Sequence, residues 1–475
     1  MRRTALTRVF WLLGTLWSVF PAAESRAQSL SCGDINGDSK VDISDPIYLL
    51  SFLFSGGRPP VCPTAECLTP DGRPIPVAPE SARVDLFEPS FSNPTEISNP
   101  LFPISLVSSA IQLGTSDGEA LRVEVTLLPE TRVIEVNGRP VETLVSQFVA
   151  FIGGRIHEVA LDHYGQADDG SVWYFGEDVY NFEDGVVADR EGTWLAGRDG
   201  PAAMIMPADP RVGDVYRPEN VCGIVFEEVT VKTVGLNVEG PAGPVEGAIL
   251  IHELHQDLST EDKTFAPLYG EFATGSGSNF EAVALSVPPD ALPGLPPNDL
   301  NQLSAGATEI FGTIEENDWD SVEDELDAIV VAWETYKSRG TPTLLTAQMT
   351  DAIESLKEAV ELQNGSEAQH ASIEVSRAAL DFRLRYRPAT EIDASRFKLW
   401  VHEILVDAKL KDSAGIQGDV ATLEWSRARF AHTLSGSLRG QMDALVAELR
   451  TAADEEDFVQ ASESATELIE LLTGM

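Results

Sequence analysis

Hydrophobic and polar residues alternate along much of residues 101–287, the pattern of strands with one buried face. Leu121–Leu127 places an apolar side chain at every second position, and Ser146–Ile152 is a second, more apolar run. Turn residues separate such runs, and Asn137-Gly138 is the clearest hairpin turn among them. Short strands at this spacing predict an antiparallel all-β domain, arranged as a sandwich or an open barrel.

A different pattern begins near residue 305, where apolar positions recur every three to four residues up to residue 475. The first clear helix carries Val322, Leu326 and Ile329 on one face. Six or seven amphipathic helices with short connections predict a C-terminal all-α helical bundle. The proline-rich residues 288–304 form the predicted linker between the two domains.

The start of the chain has the features of a secretory signal peptide. Arg2, Arg3 and Arg8 form a basic start, and the apolar-rich stretch after them is too short to span a bilayer. We expect cleavage after Ala27, so the predicted signal peptide covers residues 1–27. A signal peptide predicts an exported protein, periplasmic or extracellular. The predicted mature chain has no long apolar segment, so we expect no transmembrane segment in it.

Oxygen-bearing side chains in residues 34–45 follow the spacing of an EF-hand-type calcium loop. The predicted ligands are Asp34, Asn36, Asp38, Asp42 and Asp45 through their side chains and Lys40 through its backbone carbonyl. Calcium prefers six to eight hard oxygen ligands, and this spacing wraps the chain around one ion. The sequence therefore predicts a Ca²⁺ site in a module of residues 28–57.

A helix signal follows this loop directly. Asp45 is placed to cap the helix, Pro46 suits its first turn, and Gly56-Gly57 ends it. Ile47 and Leu50 recur at helical spacing, and the other positions are also mostly apolar. A short helix with so much apolar surface needs a partner surface.

The segment Gly33–Leu50 resembles a type I dockerin repeat, through Asn36-Gly37 within the loop and Asp45 at its last position. The resemblance implies an EF-hand-like calcium loop plus one helix, and a cohesin-like partner bound through residues 46–55. Dockerins normally carry two such repeats, and residues 58–80 contain no second copy. The apolar helix face is therefore expected to pack either on the rest of this chain or on another protein.

Three motifs in the β region resemble an uncharacterised family of exported bacterial β domains. They are Trp173–Glu177, Gly192–Trp194 and Met206–Asp214, and the resemblance spans roughly residues 95–290. It implies the β fold and export, and it implies no activity.

Charge and cysteine content narrow the function classes. The chain has 33 Lys+Arg against 76 Asp+Glu, a formal charge of −43, which excludes a nucleic-acid partner.

The proline-rich residues 58–100 are predicted to form a linker or extended arm, and they contain two of the four cysteines. Export of the protein would permit disulfides between them. We expect a disulfide between Cys32 and Cys62, and a Cys62–Cys67 disulfide is the alternative. Cys222 is expected to be a buried small apolar residue.

The sequence shows no catalytic motif, and it predicts a non-catalytic binding or scaffolding role for a calcium-binding, dockerin-like protein. One alternative is a carbohydrate-active protein of the O-glycosyl hydrolase type that binds polysaccharide, because dockerins usually accompany polysaccharide degradation. A second is a metal-handling bundle, because His370, His402 and His432 lie on three predicted helices. His252 and His255 are three residues apart on a strand, which predicts opposite faces and two surface side chains.

Overall fold

The computed structural model describes residues 43–55 and 67–473. The predicted signal peptide, the predicted calcium ligands from Asp34 to Asp42, and Cys32 and Cys62 lie outside the described residues. Asp45 lies in the first described helix, but its side chain is not described. The calcium site and the Cys32–Cys62 pairing therefore stay predictions.

Fourteen strands form one antiparallel sheet within the described residues. They are β1 (Ser109–Ser116), β2 (Glu119–Val136), β3 (Arg139–Ile152), β4 (Arg155–Gln166), β5 (Val172–Glu183), β6 (Val186–Asp189), β7 (Trp194–Leu195), β8 (Ala203–Met206), β9 (Val215–Val221), β10 (Val225–Gly240), β11 (Gly243–His255), β12 (Thr260–Ala266), β13 (Gly270–Ser276) and β14 (Asn279–Val287). The order across the sheet is β6-β5-β4-β3-β2-β1-β14-β13-β12-β11-β10-β9, and β7 and β8 both pair with β5. This confirms the predicted antiparallel all-β domain.

The sheet curls until its two ends approach each other. Strand β8 is hydrogen-bonded to β5 near one end of the order and also contacts β9 at the other end. Of the two predicted arrangements, the single curled sheet corresponds to the open barrel. The curl gives the sheet an inner face and an outer face, and alternation along each strand sends successive side chains to opposite faces.

Eight helices follow the sheet in the described part of the chain. They are α2 (Asn298–Glu316), α3 (Trp319–Lys337), α4 (Thr343–Glu361), α5 (Gly365–Arg383), α6 (Ala389–Leu410), α7 (Ser413–Ser426), α8 (Gly436–Asp454) and α9 (Phe458–Thr473), and the first described helix of the chain is α1 (Ser44–Ser55). The predicted C-terminal helical domain is confirmed. Helix α2 begins inside the predicted linker because the prolines of that segment end at Pro297, immediately before the first turn, where they do not interrupt the helix.

The helices cover part of the outer face of the sheet. Ile111 and Leu285 pack into a core shared with α2 to α6, and Val149 and Phe151 pack into a core shared with α6 to α9. A buried ion pair crosses the same interface, with the Arg122 guanidinium donating to both Asp381 oxygens at 2.7 and 2.9 Å. These outer-face side chains are therefore buried by packing against the helices.

A disulfide joins Cys67 to Cys222 and ties the segment before the sheet to the turn between β9 and β10. The open alternative Cys62–Cys67 was therefore wrong. So was the expectation that Cys222 is a buried small apolar residue, because its turn position leaves it exposed. Beyond Cys67 the segment lies along the sheet, where the buried Asn99 amide donates to the backbone carbonyls of Gly170, just before β5, and Pro207, just after β8.

Helix α1 exposes apolar side chains. Ile47 is 59% exposed and Leu50 is 53% exposed. The sequence left open whether this helix face packs on its own chain, and these two side chains do not pack on the described part of it. No helix among the described residues combines the length and apolar character needed to cross a membrane.

Candidate functional site

The inner face of the curled sheet carries a concentration of buried carboxyl groups. They are Glu158 and Asp162 on β4, Glu177 on β5, Glu219 on β9, Glu227 on β10, Glu253 on β11, Glu261 on β12 and Glu281 on β14. Each of these side chains is 8% exposed or less. Carboxyl groups are rarely buried unless they are paired with a charge, a hydrogen-bond donor or a metal ion. We therefore take this concentration of buried carboxyl groups as the candidate functional site.

Three neighbouring strands bring the central groups together. Glu227 on β10 lies directly opposite His255 on β11, and Glu253 on β11 lies opposite Glu261 on β12. Glu253 and His255 are two residues apart and therefore share the inner face, as do Glu261 and Lys263. The sheet register alone thus gathers these five side chains into one patch.

The distances within this patch define a candidate metal centre of Glu227, Glu253 and His255. One ligand atom from each of the three residues can be chosen so that all lie within 4.8 Å of one another. His255 Nδ1 is 3.2 Å from Glu227 Oε1, and Lys263 Nζ is 3.0 Å from Glu253 Oε2. The centre is thus bordered by Lys263, a buried cation on the neighbouring strand.

Several polar atoms of the centre lack a hydrogen-bond partner among the described residues. They include both carboxylate oxygens of Glu227 and Nδ1 of His255, whose close contact is not aligned as a hydrogen bond. Leaving a buried polar atom unpaired typically costs about 1–3 kcal/mol, and more for a charged group. A metal ion held between these atoms would satisfy them once His255 has lost its proton, because carboxylate oxygens and a neutral imidazole nitrogen both offer lone pairs.

The protonation states follow from burial and from neighbouring charges. Burial raises the pKa of Glu253 to about 7, although Lys263 acts to lower it. Burial lowers the pKa of His255, but contact with Glu227 outweighs that effect and raises the pKa to about 9. His255 therefore carries a proton at neutral pH, and a metal ion must displace that proton to reach the imidazole nitrogen.

A second pair of carboxyl groups lies beside the centre. Glu219 on β9 lies directly opposite Glu227 on β10, and Glu177 on β5 is close enough to interact electrostatically with Glu219. The Trp194 indole N–H donates to Glu219 Oε1 at 3.2 Å. Burial and then the charge of Glu227 raise the pKa of Glu219 to about 8. Burial and the charge of Glu219 raise the pKa of Glu177 well above its ordinary value, because each of two neighbouring buried carboxylates opposes ionisation of the other.

A cavity of about 120 Å³ adjoins the centre on the inner face. Its polar lining includes Glu227, Glu253 and Lys263 together with Tyr216. The Tyr216 side chain is completely buried, and its hydroxyl has no hydrogen-bond partner among the described residues. Apolar side chains form much of the remaining wall, among them Phe148, Val229, Ile251 and Phe265.

The histidines that the sequence singled out are placed differently from one another. His252 and His255 point to opposite faces, as predicted, and His252 Nδ1 lies 2.7 Å from Asp262 on the outer side. The prediction that both lie at the surface was wrong for His255, which is 9% exposed. The curl of the sheet is the reason, because it converts one strand face into an interior.

The three bundle histidines do not share a centre in the described part of the chain. His370 pairs with Glu403 at 2.7 Å, and His402 stacks on Phe311 with ring centroids 4.7 Å apart. His432 is exposed. The group of metal-ligand type that the described residues bring together is Glu227, Glu253 and His255 instead.

Sequence reasoning missed this centre, although one signal was present. Ile249, Ile251, Glu253 and His255 stand at alternate positions, so a buried apolar face continues into two polar residues. Comparison with protein-family models and with curated proteins finds no significant match to this chain. The geometry of the inner face is therefore the basis for inferring a function.

Proposed function

We propose that this protein binds a divalent transition-metal ion inside its curled sheet through Glu227, Glu253 and His255. The observation that carries the proposal is the convergence of their ligand atoms within 4.8 Å in a fully buried patch. Two carboxylates and one imidazole form a donor set suited to Zn²⁺, Mn²⁺, Fe²⁺ or Co²⁺. Calcium prefers oxygen ligands alone, so this centre is separate from the predicted calcium loop.

Binding at this centre exchanges protons for a metal ion. His255 must lose its proton, and the carboxylate of Glu253 must stay ionised, which the neighbouring Lys263 favours. The metal ion would add positive charge to a region dominated by carboxyl groups, which stabilises the folded state. We therefore expect metal affinity to increase as the pH rises from 6 to 9, the direction in which His255 loses its proton.

The test uses the full mature chain after chelator treatment, titrated separately with Zn²⁺, Mn²⁺ and Co²⁺. Isothermal titration calorimetry should give one site per chain, and bound Co²⁺ should show visible absorption from nitrogen and oxygen ligands. Glu227→Gln and His255→Gln should each weaken binding by more than about 100-fold, since changes that only reorient a ligand already cost 10- to 100-fold.

Glu281→Gln is the matched control variant. Glu281 is a buried inner-face glutamate whose two oxygens also lack a hydrogen-bond partner among the described residues, and it lies outside the centre. Its replacement should leave metal affinity unchanged. Absence of one-site binding in the wild type, or equal loss in all three variants, would reject the proposal.

A second function is supported by the exposed apolar side chains of α1. We propose that residues 28–57 form a dockerin-like, Ca²⁺-dependent module of an exported protein, which docks a cohesin-like or other protein surface through α1. Ile47 and Leu50 are each more than half exposed, as a docking face requires. The polysaccharide-degrading alternative stays a prediction that no feature of the described residues favours.

Calcium titration of the full chain tests this second function. Ca²⁺ should slow amide hydrogen exchange in residues 44–55, and the double variant Asp34→Asn, Asp38→Asn should abolish that protection. The variant Asp71→Asn, an exposed aspartate outside the module, is the control. Unchanged exchange on Ca²⁺ addition to the wild type would reject the calcium-dependent module.

A further inference from the structure

We propose that the cavity beside Tyr216 binds a small alcohol whose apolar body is about the size of one six-carbon ring. The inference rests on the shape and chemistry of the cavity and holds with or without a metal ion at the neighbouring centre. It adds a ligand class that the metal proposal does not contain.

The size of the cavity sets the size of the ligand. Its volume of about 120 Å³ is somewhat below the roughly 150 Å³ of an engineered apolar cavity that binds benzene. Phe148, Val229, Ile251 and Phe265 are each 7% exposed or less, so a ligand body among them is removed from water almost completely. A single six-membered ring or a chain of five to six carbons fits such a space.

The polar residues that line the cavity determine which head group a ligand can carry. The Tyr216 hydroxyl is an unused donor, and burial raises its pKa, so it stays protonated over the working pH range. Glu227 supplies carboxylate oxygens that accept no hydrogen bond within the described residues. A hydroxyl group accepts one hydrogen bond and donates another, which matches the free donor of Tyr216 and the free acceptors of Glu227, both of which line the cavity.

Charge argues against an ionic head group. Glu227, Glu253 and Glu271 line the cavity with Lys263, so an added carboxylate would face existing negative charge. An ammonium group would compete with Lys263, which already lies 3.0 Å from Glu253. A neutral hydroxyl avoids both costs, because desolvating it is far less expensive than desolvating an ion.

The experiment compares alcohols with matched hydrocarbons on the full mature chain, with and without Zn²⁺. Binding is measured by ligand-observed NMR titration. Affinity should rise about fourfold for each methylene group from ethanol to 1-pentanol and then stop rising when the cavity is full. Cyclohexanol should bind roughly fivefold or more tightly than cyclohexane, which has the same body and no hydroxyl.

Two tyrosine variants separate the hydroxyl from the wall. Tyr216→Phe should abolish the preference for cyclohexanol over cyclohexane while leaving cyclohexane binding unchanged. Tyr269→Phe is the control, because Tyr269 also lines the cavity but already donates its hydroxyl to Asp290 at 2.7 Å. Equal affinity of wild-type protein for cyclohexanol and cyclohexane, or no saturable binding of either, would overturn the proposal without any variant.

The outcome is distinguishable from that of the metal proposal. Alcohol binding that persists in chelator-treated protein supports the cavity proposal even if no metal ion binds. Metal binding without any alcohol binding rejects the cavity proposal and leaves the metal centre standing.

Discussion

Replacing Glu219 by Gln should stabilise the metal-free protein above neutral pH. Burial and the charge of Glu227 raise the pKa of Glu219 from 4.5 to about 8. A carboxyl group whose pKa is raised by folding gives its full stabilisation below the unfolded value of 4.5. That stabilisation is lost as the pH rises towards 8, because the folded state must then either keep a proton or bury a charge.

The size of the effect follows from this pKa change. A rise from 4.5 to about 8 corresponds to roughly 5 kcal/mol, at about 1.4 kcal/mol for each pH unit. Glu177 and Glu219 influence each other's pKa, so we expect only about half of this, roughly 2–3 kcal/mol, to depend on Glu219 itself. The amide introduced by Glu219→Gln never ionises, and its oxygen can still accept the Trp194 indole N–H.

Urea unfolding at pH 5, 6, 7 and 8 in the presence of a chelator measures this prediction. The free energy of unfolding of the wild type should fall across the series, and Glu219→Gln should fall less steeply and be the more stable protein at pH 8. Glu246→Gln, which changes an exposed glutamate on β11, should follow the wild type. Parallel curves for wild type and Glu219→Gln, or a Glu219→Gln protein that is less stable at pH 8, would refute the reasoning.

Three further perturbations test other parts of the structure. Cys67→Ser with Cys222→Ser opens a loop with a sequence separation of 155 and should lower the free energy of unfolding by up to about 5 kcal/mol relative to the oxidised wild type, measured by urea titration, whereas reduced wild type should match the variant. Asp381→Ala leaves Arg122 and Arg396 without their shared buried partner and should cost about 3–5 kcal/mol in the same assay, whereas a cost below about 1 kcal/mol would contradict the role of this pair at the sheet–helix interface. Lys263→Met leaves Glu253 without its buried cation and should lower the melting temperature of chelator-treated protein, and Zn²⁺ should restore most of the loss; failure of Zn²⁺ to do so would argue against a metal ion beside Glu253.

The sequence predicted the two-part fold because periodicity is a local property. Alternation at Leu121–Leu127 and the three- to four-residue spacing of Val322, Leu326 and Ile329 each need only a short window to be recognised. The number of helices was predicted less well, at six or seven, whereas eight follow the sheet in the described part of the chain. Helix α2 follows directly on a proline-rich segment, and those prolines led residues 298–304 to be read as linker.

The candidate metal centre could not be predicted in the same way. Glu227 and His255 are 28 positions apart and meet only through the register of β10 and β11. Among 76 acidic residues nothing local distinguishes Glu227 from an exposed glutamate. Burial of Glu253 and His255 was readable in principle from alternation with Ile249 and Ile251, but the curl that turns this face into an interior depends on contacts between β8 and β9.

The Cys67–Cys222 bond has a mechanical consequence. Tension applied to the amino-terminal module while the carboxyl-terminal helices are anchored would pass from Cys67 across the covalent bridge to Cys222. The intervening residues 68–221, with strands β1 to β9, lie outside that covalent path. If the module attaches to another protein, the disulfide allows strands β1 to β9 to stay folded while the chain is under tension.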